Sequence, residues 1–139
     1  MIKLIENDIT VEEYQGLRES VGWRRLSDRQ AQAAIDNSLF FIKAIGDRGT
    51  PIGMGRIVGD GAVICYIQDL VVSPTVQGMG VGTKLINRLK EFVESLREDN
   101  TTMMLCLMCA KGREEFYLKN GFTARPTDNL GPGMITYLM

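Results

Sequence analysis

In the stretch QGMGVG, residues 77–82, glycine recurs at 78, 80 and 82. A glycine held in one conformation costs backbone entropy, so three at alternate positions ask what must come close to the backbone there. The run follows a long apolar stretch and opens an amphipathic one. The first amides of a helix have no intrahelical partner, and the macrodipole makes that end positive. With side chains removed, an anion can reach those amides, which makes the segment a phosphate cradle. A flexible turn is the plainer reading, and it needs one glycine rather than three. The spacing is not that of a P-loop, because no Gly-Lys-Ser/Thr closes it. It also lacks the glycine spacing and acidic residue of a dinucleotide fold.

Proton chemistry has few candidates. The chain has no histidine. That removes the commonest general base and every Ser-His or Cys-His nucleophile pair. Cys106 and Cys109 form CLMC, but the run around them, MMLCLMCA, is apolar and has no second half-site. We read core cysteines rather than a metal site. Tyr66 and Gln68 lie two apart and so share one face of a strand. Asp69 falls on the opposite face as a structural carboxylate, unless the strand bulges and re-aims it.

These residues must be positioned by a single domain of 139 residues, the size that supports one core. Apolar content of 45% and charged content of 24% are ordinary globular values. A net charge of -1 without a basic block leaves no footprint for nucleic acid. No window is long and apolar enough for a signal peptide or a membrane span. Three cysteines are too few and odd in number for a disulfide framework, which points to a reduced, cytoplasmic protein.

The spacing predicts a strand at IKLI, then two helices opened by capping boxes at Thr10/Glu13 and Ser27/Gln30. LFFIKAIG, PIGMGRIV and AVICYIQDLVV read as strands, with a turn at GDG, residues 59–61. The helix after the glycines keeps Val81, Leu85, Leu89, Phe92 and Leu96 on one stripe, with Ile86 and Val93 beside it. MMLCLMC reads as a buried central strand, and REEFYLKN as a helix closed by Gly121. GFTARP and GMITYLM read as final strands. The sum is an α/β chain with a mixed sheet and helices on both faces.

At this point a family resemblance becomes specific. QGMGVG is similar to the Gln/Arg-x-x-Gly-x-Gly/Ala signature of the GCN5-related N-acetyltransferases, and REEFYLKNGF resembles their second signature, a helix carrying Phe-Tyr and closed by Gly-Phe. The element order agrees along essentially the whole chain. The resemblance implies that acetyl coenzyme A binds through Gln77, Gly78, Met79, Gly80, Val81, Gly82 and Thr83. It implies pantetheine contacts to the backbone of Leu70, Val71 and Val72. Many relatives carry an Asn seven residues before the tyrosine of the second signature. Here that position is Ala110, so one polar contact to the cofactor is missing.

Acetyl transfer from a thioester to an amine needs three things: a deprotonated amine, a donor for the oxyanion and a proton or hydrogen bond for the departing thiolate. The resemblance gives the last task to Tyr117; a core tyrosine beside Phe116 is the alternative. The oxyanion donor is expected to be a backbone amide near Val71. In spermidine/spermine and glucosamine-phosphate acetyltransferases, a stretch similar to YIQDLVV carries Glu-Asp. Here Gln68 stands in place of the glutamate and cannot accept the proton, but it can hold a water that does, with Tyr66 beside it. Asp69 is base or substrate anchor in the bulged case. Trp23, in the loop VGWRRLSD, either lines an acceptor pocket or plugs the core, and Arg24 either recognises an acidic acceptor or is solvated. The expected acceptor is a small-molecule amine. A protein amine and a non-catalytic coenzyme A-binding module are the alternatives, the latter disfavoured by Tyr117. A homodimer stays open.

Overall fold

A computed structural model describes all of residues 1–139, as two compact units, Met1–Leu107 and Met108–Met139. In the first unit, β1 (Lys3–Glu6) leads into α1 (Val11–Ser20) and α2 (Asp28–Asp36). Then come β2 (Phe40–Ile45), β3 (Pro51–Gly59), β4 (Ile64–Val72), a short 3-10 turn at Pro74–Val76, α3 (Val81–Leu96) and β5 (Met104–Leu107). Both capping boxes form: Thr10 and Ser27 accept from the amides of Glu13 and Gln30, whose side chains reach back to the caps. The turn after β3 is built on Asp60, whose Oδ1 accepts from the amides of Ala62, Val63 and Ile64. No helix is long and apolar enough to cross a membrane.

The five strands lie in the order β1-β2-β3-β4-β5, antiparallel except for the parallel β4–β5 pair. The sheet is therefore mixed, with helices on both faces. On one face Tyr14, Leu17 and Ala31 pack against Phe41, Met54 and Val71. On the other, α3 buries Val81, Leu85, Ile86, Leu89 and Val93. Phe92 stacks on Phe40 at 4.3 Å, while Leu96 ends the stripe in solvent.

Helix α3 sits so close to the sheet because β3 offers it glycine. A Cβ on Gly53 would lie 3.0 Å from both Leu85 Cδ1 and the Val71 carbonyl oxygen, and 3.1 Å from Val81 Cγ1. Gly53→Val is expected to destabilise the fold by about 1–3 kcal/mol through overpacking. A urea melt whose midpoint matched the unaltered chain would contradict this.

The sequence reading needs three corrections. β5 is an edge strand of this sheet, with Met104 exposed and the rest half-buried, rather than a fully buried central strand. An apolar run fits either place, and only the partner count decides. Cys65 is buried, but Cys106 is half-buried and Cys109, two residues beyond β5, is exposed. They are not all core cysteines. The third correction lies in the second unit.

That unit contains α4 (Glu114–Lys119), ended by Asn120 and by Gly121 at φ +90°. GFTARP and GMITYLM form no strands. The chain turns on itself instead: Thr127 N–H donates to the Leu130 carbonyl at 2.8 Å, and Arg125 Nε to the Gly131 carbonyl at 2.6 Å. Pro126 and Pro132 have no N–H to give to a ladder.

Candidate functional site

The glycine segment forms the mouth of α3. Gly78 and Gly80 sit at φ +84° and +83°, the left-handed region that side-chain-bearing residues rarely adopt. A Cβ at either would meet nothing within 4 Å, so packing does not select glycine there; the conformation does, and the space outside is open. Gly80 is the N-cap and offers no side chain to the helix. The first intrahelical bond runs from Lys84 N–H to the Gly80 carbonyl, leaving the amides of Gly80 to Thr83 without partners in the helix. No acidic residue lies in this first turn, so nothing cancels the positive end of the dipole. The buried Val81 holds the mouth down, and Gln77 Nε2 donates to the Val72 carbonyl at 3.2 Å, tying the loop to β4. Met79 and Thr83 are exposed beside it. This donor set fits a pyrophosphate: amides free of helix partners, glycine at 78, 80 and 82, and no competing acid.

Strand β4 supplies the second half. Its pairing with β5 ends at Ile67↔Leu107, yet β4 continues to Val72. Within this unit the backbone from Gln68 to Val72 is thus an open edge on the side away from β3. It leads directly into the loop that carries the glycines.

The strand also bulges. Its register against β3 shifts between Arg56↔Gln68 and Met54↔Val71, and Asp69 takes φ +54°. Leu70 lies beneath α3, with its Cδ1 3.3 Å from where a Gly55 Cβ would be. Asp69 points the other way, to the face of Gln68 and Arg56. The bulged alternative is the one the strand adopts. The Asp69 carboxylate is nevertheless sealed in. It accepts from Tyr14 Oη at 2.5 Å, Arg18 Nη1 at 2.7 Å and Arg56 Nε at 2.8 Å, and its side chain is 0% exposed. With both oxygens engaged, it is arranged as an anchor for two guanidinium groups. Tyr66 and Gln68 share the Arg56 face and are half-buried.

Sequence reasoning passed over Tyr14, Arg18 and Arg56. The signal was present in part: Tyr14 and Arg18 stand at i and i+4 on α1, one above the other. Burial and the Asp69 hydrogen bond push the Tyr14 hydroxyl up to about 12, so it remains a donor at any ordinary pH. Arg18 continues outward. Its guanidinium lies 5.2 Å over the Trp23 ring, and Nη2 reaches the Arg24 carbonyl at 3.5 Å. Trp23 is 36% exposed, so it is a surface ring stacked on Arg18 rather than a core plug. The Arg24 side chain is exposed, and Arg25 is taken up by Glu19 and Asp28.

In the second unit, Tyr117 is half-buried between the edges of Phe116, at 5.1 Å, and Phe122, at 5.9 Å. Burial, helped by the neighbouring Cys109 thiol, pushes its hydroxyl up to about 12, and no hydrogen bond contributes to that shift.

Comparison with known proteins shows the family and the fold. Residues 6–122 match the model of the Acetyltransferase (GNAT) family. An uncharacterized ycf52-like N-acetyltransferase of Prochlorococcus marinus is 32% identical over 120 residues, which are 84% of this chain and 64% of that protein. The histone acetyltransferase TAP1 of Glycine max is 32% identical over 129 residues, 86% of this chain and 54% of that protein. The chain thus spans less than two thirds of the length of either relative. Among solved structures, a protein of unknown function from meticillin-resistant Staphylococcus aureus, described as a probable acetyltransferase, superposes with a TM-score of 0.86 at 26% identity. That match covers 99% of this chain and 100% of the other.

Proposed function

Because this chain belongs to the GNAT acetyltransferase family, we propose that it is an acetyltransferase that moves an acetyl group from acetyl coenzyme A directly to a primary amine of a small molecule. One observation carries the reading: within the first unit, the open edge of β4 from Gln68 to Val72 runs straight into the glycine-lined mouth of α3. An elongated ligand with an anionic middle and a polar amide arm matches such a pair of surfaces.

Acetyl coenzyme A, when bound, supplies the acyl group and a thiolate leaving group. The amides of Gly80 to Thr83, with Gly78 beside them, hold its pyrophosphate, with Gln77 fixing the loop and Met79 flanking it, its own amide given to the Val76 carbonyl. Those backbone groups of the segment Leu70, Val71 and Val72 that turn to the open edge hold the pantetheine arm, and an amide near Val71 faces the acyl oxygen. As the amine nitrogen bonds to the acyl carbon, the carbon–sulfur bond breaks. The amine gives its proton to a water held by Gln68 and Tyr66, and Tyr117 donates to the departing sulfur. Asp69 is assigned no proton here, since its oxygens are engaged by Tyr14, Arg18 and Arg56. A reducing, cytoplasmic setting suits a chain whose three cysteines are all free.

The exposed Trp23 ring and the Arg24 side chain beside it are the acceptor-side groups in this proposal. A second reading, transfer to a protein amine, draws on the similarity to a protein named as a histone acetyltransferase. A screen of small amines and lysine-containing peptides, followed by release of free thiol from acetyl coenzyme A, tests both. Amine-dependent thiol release is expected with a small amine. Release with peptides alone selects the second reading. Release with neither, in a chain that binds coenzyme A, overturns the catalytic assignment.

A further inference from the structure

The side-chain cluster beneath the β4 bulge invites a question that acetyl transfer alone does not answer. Asp69 holds a left-handed backbone conformation at φ +54°, which non-glycine residues adopt uncommonly and keep where the surroundings impose it. The surroundings are three donors from three places. Tyr14 and Arg18 come from α1, and Arg56 from β3. Arg56 Nη1 extends to Ser38 Oγ at 3.3 Å and to the Ala34 carbonyl at 3.5 Å, at the end of α2. Arg18 extends to Trp23 and the Arg24 carbonyl in the loop between the two helices. One buried carboxylate therefore ties α1, its following loop, the end of α2, β3 and β4 together.

The bulge decides how the open edge is presented. In a regular strand, successive N–H and C=O groups point to alternate edges, and successive side chains to alternate faces. An extra residue shifts that phase by one. Without the bulge, Asp69 would turn toward the apolar underside of α3, and the groups that Leu70, Val71 and Val72 turn to the open edge would exchange with those turned to β3. The bulged form is thus the one in which this particular set of amides is available.

We propose that Asp69, clamped by Tyr14, Arg18 and Arg56, is a positioning residue that holds β4 in its bulged form and so aims the open-edge amides of Leu70 to Val72 at the acyl oxygen. The proposal rests on the acetyl-transfer reading above. It assigns Asp69 no contact with substrate; the carboxylate acts through the backbone it fixes.

The test uses acetyl coenzyme A labelled with 13C at the acyl carbonyl, whose stretching frequency reports hydrogen bonding to that oxygen. Bound to the unaltered chain, the carbonyl is expected to shift to lower frequency than in water. Asp69→Ala removes the clamp and leaves an alanine where φ is positive. Tyr14→Phe removes a single donor and keeps the ring beside Phe41 at 5.7 Å, so it serves where Asp69→Ala does not fold. Either folded variant is expected still to bind coenzyme A through the untouched mouth of α3, more weakly because the pantetheine edge at Leu70 to Val72 shifts with the bulge, and at saturating ligand to lose part or all of the carbonyl shift. With an active amine and saturating acetyl coenzyme A, kcat should fall by up to about 10²-fold, the loss expected from misplacing reacting groups by about 1 Å. Asp69→Asn, which tolerates the left-handed conformation and still accepts from arginine, should recover part of both signals. A folded Tyr14→Phe or Asp69→Ala with the full carbonyl shift and full kcat overturns the positioning role. Failure of the unaltered chain to bind acetyl coenzyme A at all would instead overturn the acetyl-transfer reading on which it rests.

Discussion

Tyr117→Phe is expected to fold, to bind coenzyme A as the unaltered chain does, and to turn over about 10²-fold more slowly where chemistry limits the rate. The ring contacts to Phe116 and Phe122 are edge-on and need no hydroxyl, so the packing survives. What disappears is the donor. With its hydroxyl pushed up to about 12, Tyr117 is protonated throughout the working range. A thiol has a pKa of about 8.5, so complete proton transfer from such a tyrosine to a thiolate is uphill. The side chain then serves best by donating a hydrogen bond as negative charge builds on sulfur. That argues for the lower end of the usual 10²–10⁴-fold contribution of a general acid. It also fixes the sign of the pH dependence. The protonated form is the active one, so Tyr117 removes activity only as pH rises through about 12, and no alkaline loss between pH 7 and 9 should trace to it. Steady-state kinetics with an active amine settles the role. An unchanged kcat, with stability altered by about 1 kcal/mol, would make Tyr117 a packing residue. A raised KM at constant kcat would make it a binding group.

How far the sequence reached depends on the range of each signal. The capping boxes at Thr10 and Ser27 are local chemistry within four residues, and both formed as read. The α3 stripe is a period, legible over sixteen residues without knowledge of its partner. The glycine mouth was legible for the same reason, since what makes it open is the absence of side chains. Strand partnership is not local. MMLCLMC carries the composition of a central strand and lies at an edge; GMITYLM carries the composition of a strand and forms none. Asp69 shows the limit most clearly. Nothing in YIQDLVV states that the strand bulges, because the cause sits on α1 and β3, at Tyr14, Arg18 and Arg56. Alternation alone leaves its face undecided, and three distant donors decide it.

Gly82→Asp should cost far more in ligand binding than in stability, and the reason lies in where Gly82 stands. Gly78 and Gly80 occupy left-handed conformations, so substitutions there strain the backbone and confuse loss of binding with loss of fold. Gly82 is the second residue of α3 and lies within the helix proper. Aspartate is a slightly better helix former than glycine, and a carboxylate in the first turn stabilises a helix by about 0.3–1 kcal/mol. The variant should therefore melt at or above the temperature of the unaltered chain. Its carboxylate, however, sits at the free amides and repels a phosphate brought to the same place. Two like charges about 4 Å apart near a protein surface repel by about 4 kcal/mol, which is roughly a 10³-fold loss of affinity. Gly82→Asn adds nearly the same bulk without the charge and should lose much less, separating repulsion from crowding. Calorimetric titration with coenzyme A reads the effect directly, without any acceptor. The loss should shrink as salt rises, since the repulsion is screened. A folded Gly82→Asp that binds coenzyme A as tightly as the unaltered chain would show that no phosphate approaches the mouth of α3.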